Sequence, residues 1–146
     1  MRHQHRPPPQ ARVTFGRVWL DGVYVRISTI RPSSRRSFVR IPGMGVSATY
    51  FERLAAHLSE HRPVHSLDLP GFGGVPHPDQ RMTISQYADL VERAIATLGL
   101  DDPIVVAHSM GTEIAADLAA RRPDLTQPDT DRTRGERFER TVPRQA

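Results

Sequence analysis

Residues 104–115, IVVAHSMGTEIA, pass from an apolar run into a helical pattern with a serine at the junction. The run is apolar throughout, as is typical of a strand in a parallel sheet covered by helices on both faces. After Ser109, the apolar residues Ile114, Ala115 and Leu118 keep helical spacing. A buried strand that turns directly into a helix constrains the chain to the α/β class, with the serine at the turn.

The rest of the chain predicts a hairpin followed by alternating strands and helices. The segment VTFGRVWLDGVYVRIST contains two β-rich runs separated by Asp21-Gly22, a pair suited to a tight hairpin turn. The expected strands SFVRI, PVHSLDL and PIVVA then alternate with helices. We therefore expect an α/β fold: a mostly parallel sheet with an N-terminal antiparallel hairpin, right-handed crossovers and flanking helices.

Two of the expected helices have clear apolar faces. In ATYFERLAAHLS, one face would carry the apolar residues of the first helix, which are Phe51, Leu54, Ala55 and Leu58. A longer helix from Ile84 to Leu98 keeps helical phase for four turns. Its start carries a capping-box pattern, and Gly99 follows it as a stop signal.

The composition of the two ends sets the expected domain boundaries. Residues 1–10 are basic and proline-rich, and the residues after Pro123 are polar and charged. We expect one domain over residues 11–124, between a disordered arm (1–10) and a disordered tail (125–146). The chain has no cysteine, which excludes disulfides and thiol catalysis, and no apolar run of the ~18 residues that a membrane helix needs. A cytoplasmic location without a membrane partner is expected.

The excess of basic over acidic residues does not predict a nucleic-acid partner. The net charge is +4, yet every one of the 20 basic residues is arginine, a bias typical of a GC-rich gene, and the arginines alternate with acids. His57, His61 and His65 lack partners at metal-ligand spacing and are expected to be surface or packing residues. No metal and no cofactor is expected.

Three loops follow the expected parallel strands: PGMGVS, DLPGFGG and AHSMG. Ligands of α/β sheets bind at this carboxyl edge. The first loop also fits the dinucleotide fingerprint G-x-G-x-x-G/A from Gly43 to Ala48, with Asp68 about 20 residues further on. A Rossmann-like dinucleotide binder is therefore an alternative interpretation, although it leaves the other two loops unexplained.

The three loops together resemble the α/β-hydrolase fold family, whose nucleophile motif is small-x-Ser-x-small. The resemblance implies that Ser109 is a nucleophile that attacks an ester or acyl carbonyl of a small-molecule substrate. It implies that the backbone N–H groups of Met44 and Met110 form the oxyanion hole, and that Ala107 and Gly111 supply the small residues of the elbow. Asp68 and the glycines of PGFGG resemble the family's turn after the fourth strand, which implies that Asp68 has a structural task and bonds loop amides near the site. The residue-level alternative is that Ser109 only caps a helix.

The resemblance covers the first half of such a fold, from about Thr14 to Asp124. In the family, the acid and histidine of the triad follow the serine. All seven histidines precede Ser109, and only His77, in the loop after the expected fourth strand, is a candidate surrogate base. We expect an incomplete, truncated fold that is weakly active or inactive alone. PIVVA would then lie at an open edge and favour self-association, and a non-catalytic interaction module is a further alternative.

Overall fold

The computed structural model describes residues 12–30, 36–43 and 52–126. Nine elements lie in these ranges. In chain order they are β1 (Val13–Leu20), β2 (Val23–Ile30), β3 (Phe38–Ile41), α1 (Glu52–Ser59), β4 (Val64–Asp68), α2 (Ile84–Thr97), β5 (Ile104–Ala107), α3 (Met110–Arg121) and α4 (Pro123–Thr126).

The described strands form one sheet in the order β1-β2-β4-β3-β5. The strand β3 pairs in parallel with both of its neighbours, β4 and β5, as expected for strands joined through helices. The strand β2 pairs antiparallel with both β1 and β4. The expected α/β architecture with an N-terminal hairpin is thus confirmed, and the described sheet is mixed, with two antiparallel and two parallel interfaces.

The hairpin turn forms where the sequence places it. Asp21 and Gly22 both have positive φ angles, of 51° and 79°, as the type I′ form of a two-residue hairpin loop requires. The flanking strands pair over all eight residues, from Val13 with Ile30 to Leu20 with Val23. Because β2 runs antiparallel to β4, the turn lies at the same edge of the sheet as the carboxyl end of β4.

The core is divided unequally between the two faces of the sheet. The larger cluster packs under α2 and α3 and includes Val39, Leu67, Val91 and Leu118. The smaller cluster lies on the face covered by α1 and has three buried residues, which are Phe38, Ala55 and Val64. The apolar face predicted for the first helix is only partly buried, because Leu54 is 42% exposed. The first four residues of that predicted helix, which end at Phe51, lie outside the described residues.

The ends of the later helices follow local sequence signals. Thr83 and Gln86 form both hydrogen bonds of a capping box at the start of α2, as predicted. Helix α3 ends before Pro123, and the single turn α4 follows it. Leu125 is buried in the larger cluster, so the packed part of the chain extends beyond the expected boundary at residue 124. No helix among the described residues is long and apolar enough to span a membrane.

Candidate functional site

Ser109 lies at the junction of β5 and α3 in an unusual backbone conformation. Its φ and ψ angles are 53° and −124°, a region that residues with a side chain seldom adopt. Its side chain makes no capping hydrogen bond to the helix that it precedes, and the residue is exposed. The helix-cap interpretation therefore does not describe Ser109, because an N-cap serine has extended backbone and accepts a bond from the first turn.

The small residue two positions after Ser109 is required by the close approach of another strand. A Cβ atom added to Gly111 would lie 2.5 Å from the carbonyl oxygen of Ile41 and 2.7 Å from that of Pro42. Both contacts are far shorter than a carbon and a backbone oxygen tolerate, so a glycine is needed here. Ala107, two positions before the serine, is the last residue of β5 and is half-buried.

The loop after β3 passes directly beside Ser109. A Cβ atom on Gly43 would lie 2.9 Å from the Cβ of Ser109 and 3.1 Å from Nδ1 of His108. The predicted donor Met44 lies outside the described residues, although its neighbour Gly43 is in place. Met110 is the first residue of α3, where backbone N–H groups have no partner within the helix. Ser109, Gly43 and the N–H of Met110 are thus brought together at the carboxyl edge.

The loop after β4 is held to the sheet by Arg26 and Asp68. The Asp68 carboxylate is buried and accepts hydrogen bonds from Nε and Nη2 of Arg26, at 3.0 and 2.7 Å. Arg26 also donates to the carbonyl of Gly73, so one guanidinium joins β2, β4 and the loop. The Tyr87 hydroxyl, whose pKa is raised by burial, donates to the carbonyl of Pro70 at 3.2 Å. Asp68 is therefore joined to this loop through the guanidinium of Arg26.

A second arginine, which is buried, lies on the same face of the sheet. Arg40, on β3, donates from Nη1 to the hydroxyl of Ser66 at 3.0 Å. Burial lowers the pKa of this guanidinium, and the nearby Asp68 carboxylate opposes that shift. Sequence reasoning did not identify Arg26 or Arg40. The available signal was an arginine inside each of two otherwise β-forming runs, VYVRIST and FVRI.

The histidines do not form a metal site in the described part of the chain. His65 is buried on β4, where its Nδ1 lies 2.8 Å from the hydroxyl oxygen of Thr29, and burial lowers its pKa. This agrees with the packing role expected for it. Within residues 12–30, 36–43 and 52–126, no three His, Asp or Glu side chains cluster closely enough to hold a metal ion.

A cavity of about 410 Å³ lies at the same edge, near the hairpin. Its lining includes the hairpin turn, residues 76–80 and the first part of α2, but not Ser109. His77, the candidate surrogate base, lines this cavity, and a Cβ atom on Gly71 would lie 2.8 Å from its Nδ1. The hairpin and β5 are at opposite ends of the strand order, so this cavity is separate from the serine turn.

Comparisons with known proteins agree with this geometry. The family model for the α/β hydrolase fold matches residues 37–127. The (E)-2-((N-methylformamido)methylene)succinate hydrolase of Acinetobacter baylyi is 32% identical over 61% of this chain and 34% of its own length. The probable lysophospholipase BODYGUARD 4 of Arabidopsis thaliana is 37% identical over 60% of this chain and 22% of its own. The uncharacterized hydrolase YugF of Bacillus subtilis is 30% identical over 75% of this chain and 40% of its own length.

Solved structures give the same result. A bacterial membrane phospholipase A is 28% identical, with a TM-score of 0.71 over 78% of this chain and 37% of that structure. Epoxide Hydrolase A from Mycobacterium thermoresistibile is 18% identical, with a TM-score of 0.72 over 79% of this chain and 37% of that structure. This similarity shows the fold alone. The chain spans about a third of the length of the first curated relatives it matches. The family match over residues 37–127, together with the strand, serine turn and helix described above, shows that the chain belongs to the α/β-hydrolase fold family.

Proposed function

We propose that Ser109 is the nucleophile of a serine hydrolase site that acts on an ester or acyl carbonyl. The observation that carries this proposal is the backbone of Ser109, whose positive φ directs the chain around a tight turn and leaves the side chain exposed and uncapped. Strained backbone of this kind persists only where the surrounding structure enforces it, and it concentrates at active sites. Gly111 and Gly43 allow the tight packing around this turn, because a Cβ atom at Gly111 would meet the carbonyl of Ile41 and one at Gly43 would meet Ser109.

The chemistry would follow from three groups at the turn. The Ser109 hydroxyl would add to the carbonyl carbon, giving its proton to a base and forming a tetrahedral oxyanion. The N–H of Met110, at the positive end of α3, would stabilise that oxyanion, with Met44 as the second donor. Collapse would release the alcohol and leave an acyl-enzyme, which water then hydrolyses. The names of two relatives, a substituted succinate hydrolase and a lysophospholipase, support hydrolysis as the reaction class.

We propose further that this 146-residue chain, acting alone, turns over slowly. Without a general base, a serine hydroxyl stays protonated and is a poor nucleophile. All seven histidines precede Ser109 in the sequence, and His77 contacts Gly71 and lines the cavity near the hairpin. In this proposal the chain carries the nucleophile half of the site, and the loss of triad members lowers turnover by roughly 10⁴ to 10⁶.

The dinucleotide-binding alternative is less well supported. Its acidic residue would be Asp68, which must accept hydrogen bonds from a ribose. That carboxylate is 1% exposed and is already bonded to Arg26. The fingerprint loop from residue 44 to residue 48 lies outside the described residues.

A serine-directed fluorophosphonate probe tests the proposal. We expect slow covalent labelling of the wild-type chain that is lost in Ser109→Ala. A matched control, Ser85→Ala, replaces an exposed serine on α2 and should label as the wild type does. Added imidazole supplies the missing base and should accelerate labelling of the wild type but not of Ser109→Ala. Equal labelling of both serine variants, or saturable dinucleotide binding with no labelling, would contradict the proposal.

A further inference from the structure

The carbonyl group of Ser109 is bound by Thr112, three positions along the chain. It accepts one hydrogen bond from the N–H of Thr112 at 2.9 Å and another from the Thr112 hydroxyl at 2.6 Å. The carbonyl of His108 likewise accepts a bond from the N–H of Gly111, at 2.9 Å. Both backbone bonds join residues three apart, the spacing of a 3₁₀ turn, at the start of α3. The hydroxyl adds a side-chain bond to a carbonyl that the backbone already holds.

A threonine in α2 makes a different bond. The Thr97 hydroxyl donates to the carbonyl of Arg93, four positions earlier, at 2.8 Å. Arg93 lies within α2, so the helix itself orients that carbonyl. Ser109 instead precedes α3 and has a φ angle of 53° and a ψ angle of −124°. The bond from Thr112 therefore acts on a peptide group that a residue outside the helix introduces.

That peptide group also carries the N–H of Met110. The bond between Ser109 and Met110 is a planar trans peptide, so its C=O and N–H point in opposite directions. The carbonyl is directed into α3 toward Thr112, and the N–H therefore points out of the helix start. A rotation that separates the carbonyl from Thr112 would turn this N–H through the same angle.

We infer that Thr112 is a positioning residue for the oxyanion hole, and that it acts by holding the peptide between Ser109 and Met110. The role rests on the proposed function, in which the N–H of Met110 stabilises the oxyanion. The Thr112 hydroxyl fixes the direction of that N–H through the shared peptide plane. It also polarises the amide, because a hydrogen bond accepted by the carbonyl strengthens the bond that the N–H of the same group donates.

Two substitutions separate the hydroxyl from the rest of the side chain. Thr112 is exposed, so its hydroxyl can be removed without leaving a buried gap. Thr112→Val keeps the branched shape of the side chain and loses the donor, whereas Thr112→Ser keeps the donor and loses a methyl group. Thr97→Val is the matched control, since it removes an exposed hydroxyl that bonds a carbonyl within α2. We expect the same circular dichroism spectrum for all three variants.

The rate of fluorophosphonate labelling measures the effect on the reaction. Loss of a whole oxyanion donor slows a reaction roughly 10²–10³-fold. Thr112→Val keeps the N–H of Met110 but loosens its peptide, so we expect labelling about tenfold slower than in the wild type. Thr112→Ser and Thr97→Val should label at the wild-type rate. Wild-type labelling by Thr112→Val, or labelling by Thr112→Ser as slow as that of Thr112→Val, overturns the inference.

The amide nitrogen resonance of Met110 tests the peptide without any reaction. The chemical shift of an amide nitrogen responds to hydrogen bonds that the carbonyl of the same peptide accepts. In isotope-labelled protein, we expect the Met110 resonance to move in Thr112→Val and to stay in place in Thr112→Ser and Thr97→Val. A resonance that does not move in Thr112→Val overturns the inference at any labelling rate. A wild type that fails to label contradicts the proposed function instead, and the Met110 resonance then decides whether Thr112 holds the peptide.

Discussion

At the scale of single residues, two positions show how the fold creates local environments that the free side chain lacks. Ser109 is held at a φ angle of 53°, a strain of about 1–3 kcal/mol that must be offset by the surrounding packing. His65 is a titratable group placed on a central strand, where it is 6% exposed and bonded to Thr29. In both cases the backbone position, and not the residue type, determines the behaviour of the side chain.

The buried His65 makes the stability of the fold depend on pH. Burial lowers its pKa in the folded state below the ordinary value of 6.5, so the unfolded chain binds the extra proton more readily. The stabilisation from neutral His65 is therefore complete above pH 6.5 and is lost as the pH falls toward the lowered folded-state pKa. Thermal melts over this range should show the midpoint decreasing toward acid in the wild type.

Comparison of two asparagine variants isolates this effect. His65→Asn keeps a polar group near Thr29 but cannot titrate, so its decline toward acid should be smaller than that of the wild type. His57→Asn changes an exposed histidine on α1 and should keep the decline of the wild type. A His65→Asn protein whose melting midpoint falls as steeply with pH as that of the wild type would refute the assignment.

At the scale of elements, short sequence signals decided where helices and turns begin. The capping box of α2 and the Asp21-Gly22 turn could be predicted because their causes are local. In the capping box, side chains bond backbone N–H groups three residues away. In the turn, two adjacent residues adopt positive φ angles. The exposure of Leu54 could not be predicted in this way. The helical pattern gives the direction of a face, but the sheet opposite α1 determines how much of that face is covered.

The cap of α2 gives a prediction on this scale. Thr83→Ala removes the side-chain oxygen that accepts the hydrogen bond from the N–H of Gln86, so an N–H of the first turn loses its partner. We expect the free energy of unfolding to fall by about 1 kcal/mol in urea titrations. Thr97→Ala makes the same change at the exposed end of the same helix. There, loss of the bond from the threonine hydroxyl to the carbonyl of Arg93 should have little effect. Equal losses in the two variants would count against the cap.

At the scale of the whole molecule, the sheet divides the core into a large and a small half. The larger cluster lies beneath α2 and α3, and the smaller one beneath α1. Arg26 and Asp68 join the sheet to the loop after β4 on the side of the smaller cluster. The stability of the fold should therefore come mainly from the face that carries α2 and α3.

Matched leucine substitutions test this asymmetry. Leu118→Ala empties a fully buried position on α3, and we expect it to reduce the free energy of unfolding by about 2–5 kcal/mol. Leu58→Ala makes the same change on α1, where the side chain is only half-buried, and should cost less because solvent already reaches the site. Denaturant titrations of both variants would reveal the difference. Similar losses would show that the two halves of the core contribute equally.

The sequence by itself determined the α/β alternation, the hairpin, the capped helix and the serine at a strand-to-helix turn, because each depends on periodicity or on contacts within a few residues. Only the tertiary structure decided that Gly43 passes beside Ser109, that a carbonyl of β3 excludes a side chain at Gly111, and that Arg26 joins Asp68 to Gly73. These contacts join residues that are 42 to 70 positions apart in the chain. Local propensity carries no information about them, since the strand order and register bring them together.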